Sequence, residues 1–216
     1  GANCWIYPYS DATNGGSVLF TAQDMRIATN AGFNADAKGF YPAGPGNSGI
    51  NRGGAAYGGR GGQSGGTTYG SSNAPVLPGS TGGAQSAPTG GGRGGGVVRI
   101  SATRRVTVDG TITANGIADG GDSGGGAGGS VYIRCLTFAG AASGVIRAKG
   151  GDAGAVVNAG GGGGGRIAIW RTRHMWSGSL TYPASVSPGQ YGVPAADPGT
   201  IVWGWTTETG SIFVAH

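Results

Sequence analysis

The residues able to do chemistry are few and widely spaced. The chain has two histidines, His174 and His216, a single glutamate, Glu208, and two cysteines, Cys4 and Cys135. A nucleophile needs an activating base within hydrogen-bonding reach. No Gly-x-Ser-x-Gly, His-Glu-x-x-His or Cys-x-x-Cys pattern supplies that pairing. His174 stands in "RTRHMW", a setting for a surface or packing histidine. Asp109, Asp119, Asp122 and Asp152 are the remaining candidates, for acid–base work or for calcium. Asp109-Gly110 reads as a turn, and "GGDSGGGAG" around Asp122 lacks the spacing of a calcium-binding repeat. Runs such as "GGRGGG" meet a loose dinucleotide pattern by abundance alone, with no helix to complete a phosphate cradle. The expectation is a protein that is not an enzyme and carries no cofactor or metal.

What positions these residues is mostly glycine. Of 216 residues, 52 are Gly and 10 are Pro, a share that alone suggests disorder. Against it stand 11% charged residues and 18 aromatics, since disorder goes with high charge and few aromatics. Good helix formers are scarce, so the reading is one all-β domain over residues 1–216. The net charge is +5, and all basic residues but Lys38 and Lys149 are Arg. Only Arg104 and Arg105 adjoin, which argues against nucleic acid as a partner. No apolar run is long enough to span a membrane. The start at Gly1 rather than Met fits a processed secreted protein or a piece of a larger one. An even cysteine count in an exported chain leads to an expected disulfide, Cys4 to Cys135, within one chain or between neighbours. The alternative is two separate buried thiols.

A repeat organises the rest. Glycines, an alternating strand and a second short apolar segment recur in about 15–39, 94–116, 128–151 and 163–185. Val98, Ile100 and Ala102 share one face, matched by Val18, Phe20 and Ala22, by Val131, Ile133 and Cys135, and by Ile167 and Ile169. Val98, Val131 and Ile167 are 33 and 36 residues apart, and no copy buries its apolar face alone. The expected fold is a β-solenoid, or a stacked β-sandwich built from the same hairpins. A glycine-rich insertion covers 40–93, and further tracts lie between the copies, with 8 Gly in residues 116–129 and 9 in residues 150–165. Their recurrence between strand units points to ordered, polyglycine-II-like segments bonded side by side rather than to floppy loops.

"GFYPAGPGNSG", "GGAAYGGRGGQSGGTTYGS", "GGGVVRISATRRVTVDGTITANG", "IRAKGGDAG" and "GGGGGGRIAIW" follow one another along the chain. That succession resembles the glycine-rich modules of large bacterial surface and secreted proteins, over about Gly39 to Trp170. The resemblance implies an extracellular structural or adhesive role without catalysis. Residues before Gly39 and after Trp170 depart from it.

Two function classes follow. Trp170, Trp176, Trp203 and Trp205 are candidates for stacking on sugar rings, as in a glycan-binding or adhesive module of a cell-surface protein. The other reading of these aromatics is that they cap the ends of the stacked strands. The terminal segments "CWIYPY" and "SIFVAH" alternate, lie outside the repeats and carry no Lys to guard an open strand edge. They make Trp5, Ile6 and Tyr7, with Ile212, Phe213 and Val214 of the C-terminal strands at 200–216, candidates for joining copies head to tail. The favoured expectation is a secreted structural protein that polymerises with itself.

Overall fold

Val, Ile and Thr at every second position hold the backbone extended and give it an apolar and a polar face. The computed structural model, which describes residues 3–63, 65–154, 158–172, 176–177 and 185–206, forms strands where that alternation occurs. They are β1 (Trp5–Ile6), β2 (Leu19–Ile27), β3 (Gly32–Asn34), β4 (Val97–Val108), β5 (Thr111–Thr113) and β6 (Ser130–Cys135). After them come β7 (Thr137–Ala139), β8 (Val145–Arg147), β9 (Arg166–Arg171), β10 (Trp176–Ser177) and β11 (Thr200–Trp205). No helix occurs among the described residues.

The strands make two sheets, and every ladder between them is parallel. The smaller runs β1-β3-β5-β8. In the larger, β4 takes β2 on one edge and both β6 and β7, end to end, on the other. β9 lies on β6, β10 on β7, and β11 on β9. Register stacks like residues into columns. Phe20, Ile100, Ile133, Ile169 and Trp203 form one, and Phe33, Ile112 and Ile146 face it from the smaller sheet. The inner faces share one core, in which Val98, Val131, Ile133, Ile167 and Ile169 are fully buried. Each such side chain contributes about 1.5–3 kcal/mol. A bulge between Ala22 and Asp24, where β4 holds one residue more, brings Met25 and Ile27 to the core side.

This architecture corrects the expected β-solenoid or stacked β-sandwich with four strand repeats. A sandwich of hairpins needs antiparallel ladders, and the named strands form none. A regular coil needs equivalent copies, but the twelve-residue β4 is answered by two shorter strands, β6 and β7. The fourth copy adds only the isolated bridge Arg147–Ser185 to the smaller sheet among the described residues, while β1 and β11, from outside the repeats, extend the sheets. The fold is two parallel sheets, of four and seven strands, with neither a helix nor a closed barrel among the described residues.

Beside the sheets lies a body built from the glycine tracts, including the 40–93 insertion. Its segments bond sideways to one another. Gly62 N donates to Gly161 O (2.8 Å), Gly161 N to Tyr191 O (2.9 Å), and Gly124 N to Gly83 O (2.7 Å). These bonds provide the partners that buried backbone groups require. Gly162 shows why the residue must be glycine. It donates to Gly151 O (2.9 Å), accepts from Gly189 N (2.8 Å), and a Cβ on its third side would run into the Gly126 carbonyl oxygen. With backbone on three sides, no side chain fits.

Hydroxyls fasten this body to the larger sheet. Tyr57 is fully buried, its hydroxyl 2.7 Å from Ser130 Oγ, which in turn donates to Leu77 O at 2.6 Å. The Tyr69 hydroxyl donates to Pro78 O (2.5 Å) and lies 2.9 Å from Ser80 Oγ. The buried Arg166 guanidinium lies 5.3 Å from the centre of the Tyr57 ring and donates to Tyr69 O, Tyr57 O and Thr200 Oγ1.

Candidate functional site

A parallel sheet ends in a row of unpaired backbone donors and acceptors, so its outermost strands are its reactive part. β2 pairs with β4 alone and β1 with β3 alone among the described residues, so both lie at one end of the stack. β11 is the outermost described strand of the larger sheet at the other end. Apolar side chains gather at the first end: Trp5 and Ile6 are about two-fifths exposed, and Tyr7 is 64% exposed. A hollow of about 190 Å³ sits there, lined by Cys4, Ile6, Arg26, Ile27, Ala31 and Phe33 among others. At the opposite end β11, "TIVWGW", carries no charge, and Ile201 and Trp205 are exposed. Two surface ion pairs flank β2, Arg26–Asp109 at 3.1 Å and Arg104–Asp24 at 3.4 Å. Such pairs are worth about 0–1 kcal/mol and do little to guard an edge.

The N-terminal candidates are thus brought together, but as part of the chain's own sheet, since Trp5 and Ile6 pair with Gly32 and Phe33. Ile212, Phe213 and Val214 lie outside the described residues, as does His174.

Of the expected disulfide, the form within one chain is not made: Cys4 and Cys135 are not joined to each other. Cys4 is exposed and leads into β1 at the rim of the smaller sheet, its carbonyl accepting from Gly32 N at 3.1 Å. Cys135 ends β6 inside the larger sheet, where its Sγ donates to Trp170 O at 3.8 Å. Cys4 adjoins the outermost described strand of the smaller sheet, whereas Cys135 ends a strand held between β4 and β9 of the larger one. Burial pushes the Cys135 thiol up to about 12 from 9.0, so it stays protonated and inert.

The tryptophans do not form one row. Trp170 pairs in register with Gly204, its ring packs where a Gly204 side chain would be, and its Nε1 donates to Asn73 O at 2.6 Å. Trp203 leans over the core to meet Phe138 edge-on at 5.9 Å. Trp205 is 59% exposed at the end of β11. Trp176 begins β10, and its side chain lies outside what is described.

Three of the aspartates join segments. Asp109 accepts from Ala141 N (3.0 Å), Asp122 from Gln85 Nε2 (3.1 Å) and Asp152 from Gln190 N (2.8 Å). No group of metal-ligating side chains converges among the described residues, and no helix there is long and apolar enough to cross a membrane. Sequence reasoning passed over Arg166, Tyr57 and Tyr69. Only the placing of Arg and Tyr inside glycine runs, where little else offers a polar side chain, hinted at their role. No family model, curated protein or solved structure matches this chain.

Proposed function

We propose that the protein is an extracellular structural protein whose copies join head to tail, by strand addition, into a fibre or surface sheath. The observation that carries this reading is that β2 and β11 are opposite edges of one parallel sheet. A β11 arriving beside β2 of another copy runs in the same direction as every other neighbouring pair. Strand addition satisfies a row of backbone groups and covers apolar side chains at both ends. The joined surfaces differ, so the contact is heterologous and propagates as an open filament unless its rotation closes a ring. The extracellular setting rests on composition and on the resemblance to bacterial surface modules. The cysteines lend it no support, because no disulfide forms within the chain.

A second reading, an adhesive or glycan-binding module, draws on the exposure of Tyr191 and Trp205 near the last strand. Negative-stain microscopy and sedimentation of the full chain separate the two. Filaments that disappear on deleting residues 1–10 support strand addition. A chain that stays monomeric at high concentration overturns it and favours the module.

A further inference from the structure

The outer face of the larger sheet carries a row of side chains that the core does not use. Strand register sets Ser101 of β4, Arg134 of β6, Trp170 of β9 and Gly204 of β11 side by side. Their chain neighbours Ile100, Ala102, Ile133, Cys135 and Ile169 are buried, so alternation turns the row outward. The ladder runs on past β9 and β11, where Thr172 N donates to Cys135 O (3.1 Å) and Thr206 N to Arg171 O (2.9 Å). A hollow of about 340 Å³ lies on this face, lined by Ser101, Thr103, Arg134, Trp170, Thr172 and Thr206 among others.

The indole and the guanidinium are prepared for a ligand in different ways. Trp170 is fixed: its Nε1 donates to Asn73 O at 2.6 Å, and a Cβ on Gly204 would run into its ring. Glycine in the middle of β11 therefore makes room for the indole. Arg134 is exposed and makes neither an ion pair nor a hydrogen bond through its side chain among the described residues. No described residue lining the hollow is acidic, so the guanidinium charge stands uncompensated there.

We infer that this hollow binds an anionic sugar, a pyranose ring that carries a carboxylate or a sulfate. The planar fork of Arg134 matches two oxygens of such a group. The Trp170 indole offers an apolar surface to the C–H groups of the ring. The hydroxyls of Ser101, Thr103, Thr172 and Thr206 both donate and accept, as sugar hydroxyls do. A bare anion would use the guanidinium and leave the indole and the hydroxyls idle. A neutral sugar would leave the free charge idle. Because Trp170 is already held in place, little ordering opposes binding. The row lies on the face of the sheet and not on its edges, so the inference is independent of head-to-tail joining.

Calorimetric titration of the full chain tests it with three oligosaccharides of equal length: an oligogalacturonate, a sulfated dextran and a neutral dextran. At least one acidic probe is expected to bind about tenfold or more tighter than the neutral one. Which acidic probe binds tells carboxylate from sulfate. Arg134→Gln should weaken that binding about tenfold. Arg60→Gln removes the same charge from an exposed site in the glycine body and should change it less than about twofold. Binding should also quench indole emission, and Trp170→Phe should remove that part of the signal. No binding of any probe, or equal affinity for acidic and neutral probes, overturns the inference. Equal weakening by the two arginine variants overturns it too, since net charge and not the hollow would then hold the ligand. The ratio of acidic to neutral affinity is measured on unmodified protein, so the test does not depend on the variants folding.

Discussion

The Tyr57 hydroxyl stands 2.7 Å from Ser130 Oγ, and through that bond the glycine body grips the larger sheet. Tyr57 comes from the long glycine-rich insertion and Ser130 opens β6, so a contact across 73 positions joins two parts of unlike construction. Tyr57→Phe keeps the ring and the nearby Arg166 but removes the hydroxyl. Ser130 retains its bond to Leu77 O. The expected loss is about 1–2 kcal/mol, read as a lower denaturant midpoint with an unchanged slope.

Stability should fall in alkali. Burial holds the Cys135 thiol at about 12 against 9.0 in an open chain, and raises the Tyr57 phenol above its ordinary 10.0. Above pH 9 the unfolded chain therefore binds fewer protons than the folded one, and stability declines as pH rises. The slope is about 1.4 kcal/mol per pH unit for one such group and steepens once tyrosine joins. Cys135→Ala should delay the onset to near the tyrosine range. Chemical denaturation from pH 8 to 11 measures this, and an unchanged onset in the variant would count against it.

Thiol reactivity should be split. Native protein is expected to take one equivalent of a thiol reagent, at Cys4, and a second only when denatured, at Cys135. No labelling of native protein, with two thiols released by reductant, would restore the disulfide.

Glycines should differ sharply in tolerance. Gly162→Ala drives a methyl group into the Gly126 carbonyl, whereas Gly90 has open space around it and a φ of +85°. The first change is expected to cost about 3 kcal/mol or more by overpacking, and the second about 1 kcal/mol from backbone strain alone. Melting curves of the two variants rank them.

Much of the core was legible in the alternation. Val98, Ile100, Val131, Ile133, Ile167 and Ile169 are inward in the sequence pattern and buried in the fold. Alternation assigns a face, because successive side chains point to opposite sides, but it says nothing of the partner strand or its direction. Hairpins and parallel layers therefore looked alike, and the unequal strands hid there too. The bulge after Ala22 was equally invisible, and with it the inward turn of Met25. Arg166 looked like one more dispersed basic residue. Its burial depends on carbonyls of Tyr57 and Tyr69, brought to it from about a hundred positions earlier in the chain. Of the proposed assembly site, the apolar character of Trp5, Ile6 and Tyr7 could be read in advance. The place of β2 and β11 at opposite edges of one sheet could not, since it exists only once the strands are paired.

The sideways bonding of the glycine tracts also sets a timetable. Gly62 waits for Gly161, and Gly161 for Tyr191, so tracts from the first third cannot close until the last third is present. Glycine pays heavily in conformational freedom for each such closure, and distant pairings form slowly. Bonds within the insertion, such as Gly83 N to Gly53 O at 2.9 Å, are available earlier, but the body is complete only with the last tract. Closure of the body therefore comes late, after the final tract is free of the ribosome.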